Sequence, residues 1–112
     1  MSASAFGSFT INVEGGTMKQ PAIYILSNSS NSVLYIGVTG NLAQRVWLHK
    51  TEDVEGFTQK YNVHKLVYFE IFVDFKTAID REKQLKRWNR SWKEELISER
   101  NPSWRDLYDD IL

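Results

Sequence analysis

Two short apolar runs, "AIYILS" at 22–27 and "VLYIG" at 33–37, are separated only by "NSSNS" at 28–32. This spacing constrains the fold more than any other feature of the chain. Both runs are rich in β-branched and aromatic residues, and five residues of turn chemistry between them predict an antiparallel β-hairpin. The period then changes. Asn41 can cap a helix over "LAQRVWLHK" (42–50), with Leu42, Val46 and Leu48 toward a core. "KLVYFEIFV" (65–73) is the strongest strand pattern in the chain, and its continuous apolar character predicts a central strand covered on both faces. Asp74 can cap a helix over "FKTAIDREKQLKRW" (75–88), where Ala78, Ile79, Glu82, Leu85 and Trp88 recur at helical spacing. Ser91 is the expected cap of a further helix to residue 100, which Pro102 ends. Residues 103–112 read as a short terminal helix or ordered tail. The order is ββα, then β, then helices. It predicts an α+β fold, a small three-stranded antiparallel β-sheet flanked by α-helices.

The chain has 112 residues, enough for one domain with a modest core. Residues 1–17 are small, polar and glycine-containing, and read as a disordered tail or an upstream start, with the folded domain over 18–112. There is no cysteine, which excludes disulfides, thiolate nucleophiles and cysteine-based zinc sites. No apolar run approaches the roughly 20 residues needed to span a bilayer, and the N-terminus lacks the pattern of a secretory signal. These features point to the cytoplasm and away from a membrane partner.

Formal net charge is zero, but charge is unevenly spread. Arg81, Lys83, Lys86, Arg87, Arg90 and Lys93 lie within thirteen residues that hold one acid, Glu82. Acids collect in 51–56 and 106–110. A neutral chain with one basic stretch can present a basic face to a polyanion, although a solvated helix face explains such a run equally well.

The residues that carry chemistry stand in a fixed order. "AIY" at 22–24 and "YIG" at 35–37 fall on consecutive strands. Arg45 follows Tyr35 by ten residues, His49 lies one helical turn later, and Glu82 sits on a downstream helix. In this order and spacing the chain resembles the GIY-YIG nuclease superfamily, and most of all its small stand-alone bacterial members. The resemblance covers roughly residues 20–108 and extends to "IGVTGNLAQRV", "AIDREKQLKRWNRSWK" and "NPSWRDLY". Two departures are visible. Ala22 replaces the first glycine of the motif, and Val38 stands where some branches carry a lysine.

The resemblance implies a metal-dependent endonuclease hydrolysing phosphodiester bonds. It implies Glu82 as the ligand of one Mg²⁺ (or Mn²⁺), a hard cation that keeps several waters and needs few carboxylates. The ordinary alternative is a helix-surface pair between Glu82 and Lys86 at i, i+4. Tyr35 is implied as general base or as the group that positions the attacking water. A free tyrosine titrates near 10 and becomes a plausible base only beside a cation such as Arg45 or the metal. Tyr24 would help orient water or phosphate. Arg45 would clamp phosphate oxygens, since a guanidinium is a planar fork that keeps its proton. His49 could accept a proton or contact a phosphate, because histidine titrates in the useful range. His64 matches no motif position. Asn89 is the nearest candidate for the asparagine that some branches carry downstream of the glutamate.

For binding, the basic residues Lys50, Lys60, Lys86, Arg87, Arg90 and Lys93 are candidate phosphate contacts. Tyr61 or Trp88 could stack an unpaired base, with core packing the better account of Trp88. DNA is the expected partner. Without a separate recognition module the chain would be weakly specific, read its target through the loop 51–64 or depend on a partner. The resemblance to stand-alone members that act on single-stranded DNA leans toward single strands. Two other readings stay open: a non-catalytic nucleic-acid-binding module of the same fold, and a protein-interaction domain that uses Trp88, Trp92 and Trp104. A protein partner or homodimer is left undecided.

Overall fold

A computed structural model of the protein describes residues 20–51 and 60–112. Its elements run β1 (Ala22–Ser27), β2 (Leu34–Thr39), α1 (Leu42–Lys50), β3 (Lys65–Ile71), α2 (Phe75–Arg87), α3 (Arg90–Arg100) and a 3-10 turn (Tyr108–Ile111). The three strands form one antiparallel sheet in the order β2-β1-β3. The fold is therefore the expected α+β arrangement. The expected tail over 1–17 and most of the 51–62 segment lie outside the described residues. No helix among the described residues is long and apolar enough to cross a membrane.

The hairpin forms where expected, with small shifts. Its loop runs from 28 to 33, and β2 reaches Thr39 rather than ending at Gly37. The Asn28 side chain closes the loop by accepting from the backbone N–H groups of Ser32 and Val33 at 2.9 and 3.0 Å. Asn31 takes the left-handed conformation (φ 61°) that asparagine tolerates in turns.

The central strand is β1, not β3 as its hydrophobicity suggested. All six residues of β1 are buried. The apolar run in 65–73 has a different cause: the C-terminal segment covers the outer edge of β3. The Leu107 N–H donates to the Leu66 carbonyl at 2.8 Å. The Leu66 N–H donates to the Asp106 carboxylate at 3.1 Å, and the Asn101 amide donates to the Val67 carbonyl at 3.0 Å. An edge whose backbone groups are satisfied in this way can be as apolar as a central strand. The strand also stops two residues early, leaving Val73 94% exposed.

Strand alternation divides the core into two layers. Ala22, Tyr24 and Leu26 face α1 and the 3-10 turn, packing with Leu42, Val46, Phe69 and Leu107. Ile23 and Ile25 face α2 and α3, packing with Ile36, Val67, Ala78, Leu85 and Ile97. Asn41 and Asp74 cap α1 and α2 as expected, accepting from the N–H groups of Gln44 and Thr77. The cap of α3 is Asn89 rather than Ser91. Its side chain accepts from the Trp92 N–H at 2.9 Å, and the Ser91 hydroxyl supports that side chain by donating to it at 3.0 Å. Asparagine ranks with serine as a cap, so the helix starts two residues earlier than a serine-based reading places it.

Candidate active site

The register between β1 and β2 builds the site. Tyr24 lies opposite Gly37, and Leu26 lies opposite Tyr35. Tyr35 therefore shares the α1 face of the sheet with Tyr24 as its diagonal neighbour, with ring centroids 6.3 Å apart. Gly37 explains how the Tyr24 ring fits. A Cβ built at Gly37 would stand less than 3 Å from the Tyr24 ring and hydroxyl. The ring lies across the bare backbone of β2, and no larger residue leaves it that space. Sequence reasoning passed over this glycine, although an isolated glycine inside a strand pattern is itself a signal of close approach.

From above, α1 closes the site. Leu42, Val46 and His49 form its buried stripe, at spacings of four and three. His49 is 1% exposed. Its Nε2 lies 3.2 Å from the Tyr24 hydroxyl, and its ring stands 5.8 and 5.5 Å from those of Tyr24 and Tyr35. Burial, then the charge of Arg45, and then His64 push His49 down to about 4. The imidazole is thus neutral near pH 7, contrary to the expectation that it titrates in the physiological range. Removal from water outweighs the intrinsic value of the ring.

Tyr24 is buried and feels four influences. Burial raises its phenol above the ordinary range and is the largest; the neighbouring Tyr35 adds to it through charge and a hydrogen bond, and Glu82 through its carboxylate. Only Arg45 pulls it down, and Arg45 loses. Tyr24, Tyr35 and His49 thus form one packed cluster from β1, β2 and α1, and the charges of Arg45 on α1 and Glu82 on α2 both act on its Tyr24 phenol.

The Glu82 side chain is only 14% exposed and pairs with Lys86 at 2.8 Å, the i, i+4 contact raised as its ordinary role. Among the described residues there is no group of three or more histidine, cysteine, aspartate or glutamate side chains that could hold a metal. A cation here would have one protein carboxylate, with water and phosphate oxygens for the rest. That all-oxygen donor set suits Mg²⁺ or Mn²⁺. The carboxylate fits this use because its charge reaches the Tyr24 phenol, and because its partner Lys86 is 55% exposed and free to swing away.

The other candidates are dispersed. The Lys50 ammonium is bound to the Asp106 carboxylate and to the His64 carbonyl at 3.0 Å. The Arg90 guanidinium donates to Glu94 at 2.8 Å and to the carbonyls of Ser32 and Asn31 at 3.1 and 2.5 Å. It ties α3 to the hairpin loop. Arg87 and Lys93 make no ion pair among the described residues. Lys60 and Tyr61 lie together on the surface, the ammonium 5.4 Å from the ring centre. Trp88 packs on the α2–α3 core layer, and Asn89 acts as the cap already described.

Residues 20–95 match the GIY-YIG family, described as the GIY-YIG catalytic domain. A UPF0213 protein of Clostridium perfringens is 37% identical over 79 residues, which is 70% of this chain and 84% of the relative. A UPF0213 protein of Staphylococcus haemolyticus is 32% identical over 83 residues, 74% of this chain and the whole of the relative. Among solved structures, the solution NMR structure of a UPF0213 protein from Bacillus halodurans shares the fold. Its TM-score is 0.51 at 24% identity, covering 78% of this chain and 92% of that one.

Proposed function

The chain belongs to the GIY-YIG family, and on that premise we propose that it is a metal-dependent DNA endonuclease acting on single strands. The observation that carries this reading is that two tyrosine rings lie 6.3 Å apart and that the charges of Arg45 and Glu82 both act on the Tyr24 phenol. Phosphodiester hydrolysis needs a positioned water, neutralisation of charge on the phosphate and help for the departing oxygen. Bound at Glu82, a divalent cation would supply the Lewis acid that neutralises the phosphate and eases the departing oxygen.

The chain's own groups do the rest. Arg45 offers a planar fork to the non-bridging oxygens. Tyr35, half-buried on the edge strand, holds the attacking water. Tyr24 keeps its proton, because burial raises its phenol, and acts as a fixed hydrogen-bond donor rather than a base. His49 is a positioning residue. Its neutral ring fixes the Tyr24 hydroxyl through the 3.2 Å contact and keeps water out of that layer. The single-strand preference rests on exposed Tyr61, a surface on which an unpaired base could stack.

A cleavage assay at low salt tests the proposal. Labelled single-stranded and duplex DNA are each incubated with Mg²⁺, with EDTA, and with Glu82→Ala. Cutting of the single strand that requires both metal and Glu82 is expected. Binding without cutting on both substrates would overturn the catalytic reading. It would favour a binding module in which the Glu82–Lys86 pair is only a helix-surface contact.

A further inference from the structure

Where β1 ends, β3 begins and α1 ends, the described residues enclose a cavity. It has a volume of about 300 Å³ and is lined by Ser27, Lys50, Asn62, His64, Lys65 and Asp106, among others. That is the lower end of the size range for ligand pockets. Ser27 ends β1, three residues beyond Tyr24, or about 10 Å along a strand. Lys50 follows His49 directly, and His64 is near enough to His49 to help depress its titration. The cavity therefore lies near the site, and none of the site's reacting groups lines it.

Its charges sort into fixed and available ones. Asp106 is fully used. One oxygen accepts from the N–H groups of Leu66 and Tyr108, each at 3.1 Å, and the other binds Lys50. Lys50 is held in turn by the His64 carbonyl and lies 5.3 Å from the Tyr108 ring centre. These two charges cancel and form a rigid wall. Lys65 makes no ion pair among the described residues. Among the described residues the cavity thus carries one positive charge without an ion-pair partner, with the Asn62 amide as a further polar group and the Ser27 hydroxyl donating to the Asn31 side chain at 3.2 Å. One positive charge with neutral donors suits a singly charged phosphodiester.

We propose that this cavity is a subsite for a backbone phosphate flanking the scissile one, with Lys65 as its cation. The proposal rests on the nuclease reading for its ligand. It gives the strand a direction, from Glu82 past Tyr35 and His49 toward the start of β3. That path leaves α3 aside, where Arg90 is occupied by Glu94 and two carbonyls.

The test measures binding of a labelled single-stranded oligonucleotide to the full chain in EDTA, over a series of salt concentrations. Lys65→Gln, Lys65→Arg and Lys76→Gln are compared with the wild type. Lys65→Gln should weaken binding about tenfold, the loss of one charge-assisted contact. It should also lower the salt slope by about 0.7, the single-strand value for one phosphate. Lys65→Arg should restore both, and Lys76→Gln, at an exposed lysine paired with Asp80, should change neither. Under cleavage conditions Lys65→Gln should raise KM with little change in kcat. A Lys65→Gln variant with unchanged affinity and slope would overturn the subsite. So would a wild-type chain that binds no oligonucleotide, which would also end the nucleic-acid reading. Binding that depends on Lys65 without any cleavage would instead sustain the subsite and refute only the nuclease.

Discussion

At Tyr24 two opposing effects act on one phenol. The Arg45 charge favours the phenolate, while burial favours the neutral form, and burial wins. The same competition acts on His49, where burial and Arg45 work together and lower it to about 4. The consequence for stability has a definite sign. Below pH 6.5 the unfolded chain takes up a proton that the folded chain refuses. His49's contribution is thus fully present above about pH 6.5 and is lost as pH falls toward 4. Each unit costs about 1.4 kcal/mol, so about 2 kcal/mol should disappear between pH 6.5 and 5. Urea denaturation at several pH values measures this, and His49→Gln should flatten the profile in that window. Gly37 gives a second prediction. Gly37→Ala places a methyl where the Tyr24 ring lies. Overpacking of this kind costs roughly 1–3 kcal/mol, and it should displace the Tyr24 hydroxyl, abolishing cleavage while the protein still folds. Activity that survives Gly37→Ala would show that the position of Tyr24 does not matter. Arg45, His49, the tyrosines and Glu82 stood out in the sequence as candidates through the resemblance to the GIY-YIG pattern. The neutrality of His49 was not, because burial depends on the layer that closes over it.

Elements were legible where local chemistry decides them. The hairpin, the caps Asn41 and Asp74, and the helical stripe Leu42–Val46 all follow from neighbours a few residues apart. The error at the start of α3 has the same local origin, since Asn89 and Ser91 are both good caps and only the backbone conformation distinguishes them. Asn89 is extended (φ −74°, ψ 170°) and its oxygen reaches the Trp92 N–H. Asn89→Ala should therefore cost about 1 kcal/mol, with a further loss because the Ser91 hydroxyl also loses its acceptor. Ser91→Ala should cost much less. Thermal unfolding of the two variants decides between the caps. The basic stretch shows the limit of reading charge from sequence. Arg81 grips Glu70 through two hydrogen bonds of 2.9 Å, tying α2 to β3. Lys86 holds Glu82, and Arg90 holds α3 to the hairpin loop. The Glu82–Lys86 pair was visible at i, i+4, but Arg81 and Arg90 serve as scaffolding through Glu70 and the Asn31 and Ser32 carbonyls, partners too distant in sequence for local pattern to reveal.

At the scale of the whole molecule, the misreading of β3 has a physical lesson. Hydrophobicity reports how much of a strand is covered, not what covers it. β1 is covered by two strands and two helical layers; β3 is covered on one side by residues 101–107, some forty positions later in the chain. No periodicity in 65–73 can distinguish these cases, because both remove the same apolar surface from water. The dependence on the C-terminal segment can be tested directly. A chain ending at Arg100 would lose the Asn101, Asp106 and Leu107 contacts together, along with buried Leu107 itself. The backbone groups of Leu66 and Val67 would be left without those partners on an apolar edge, which favours edge-to-edge pairing between molecules. The truncated chain should aggregate in sedimentation runs at concentrations where the full chain does not. Asp106→Asn is the finer probe. It keeps an acceptor for the Leu66 N–H but releases Lys50 from its ion pair, so the edge should stay closed and the protein should remain dispersed. The freed Lys50 would then add a second cation to the cavity beside the active site, and oligonucleotide binding should tighten with a steeper salt dependence. A variant that instead aggregates like the truncation would mean that the Lys50–Asp106 pair, rather than the Leu66 backbone bonds, holds the C-terminal segment on β3.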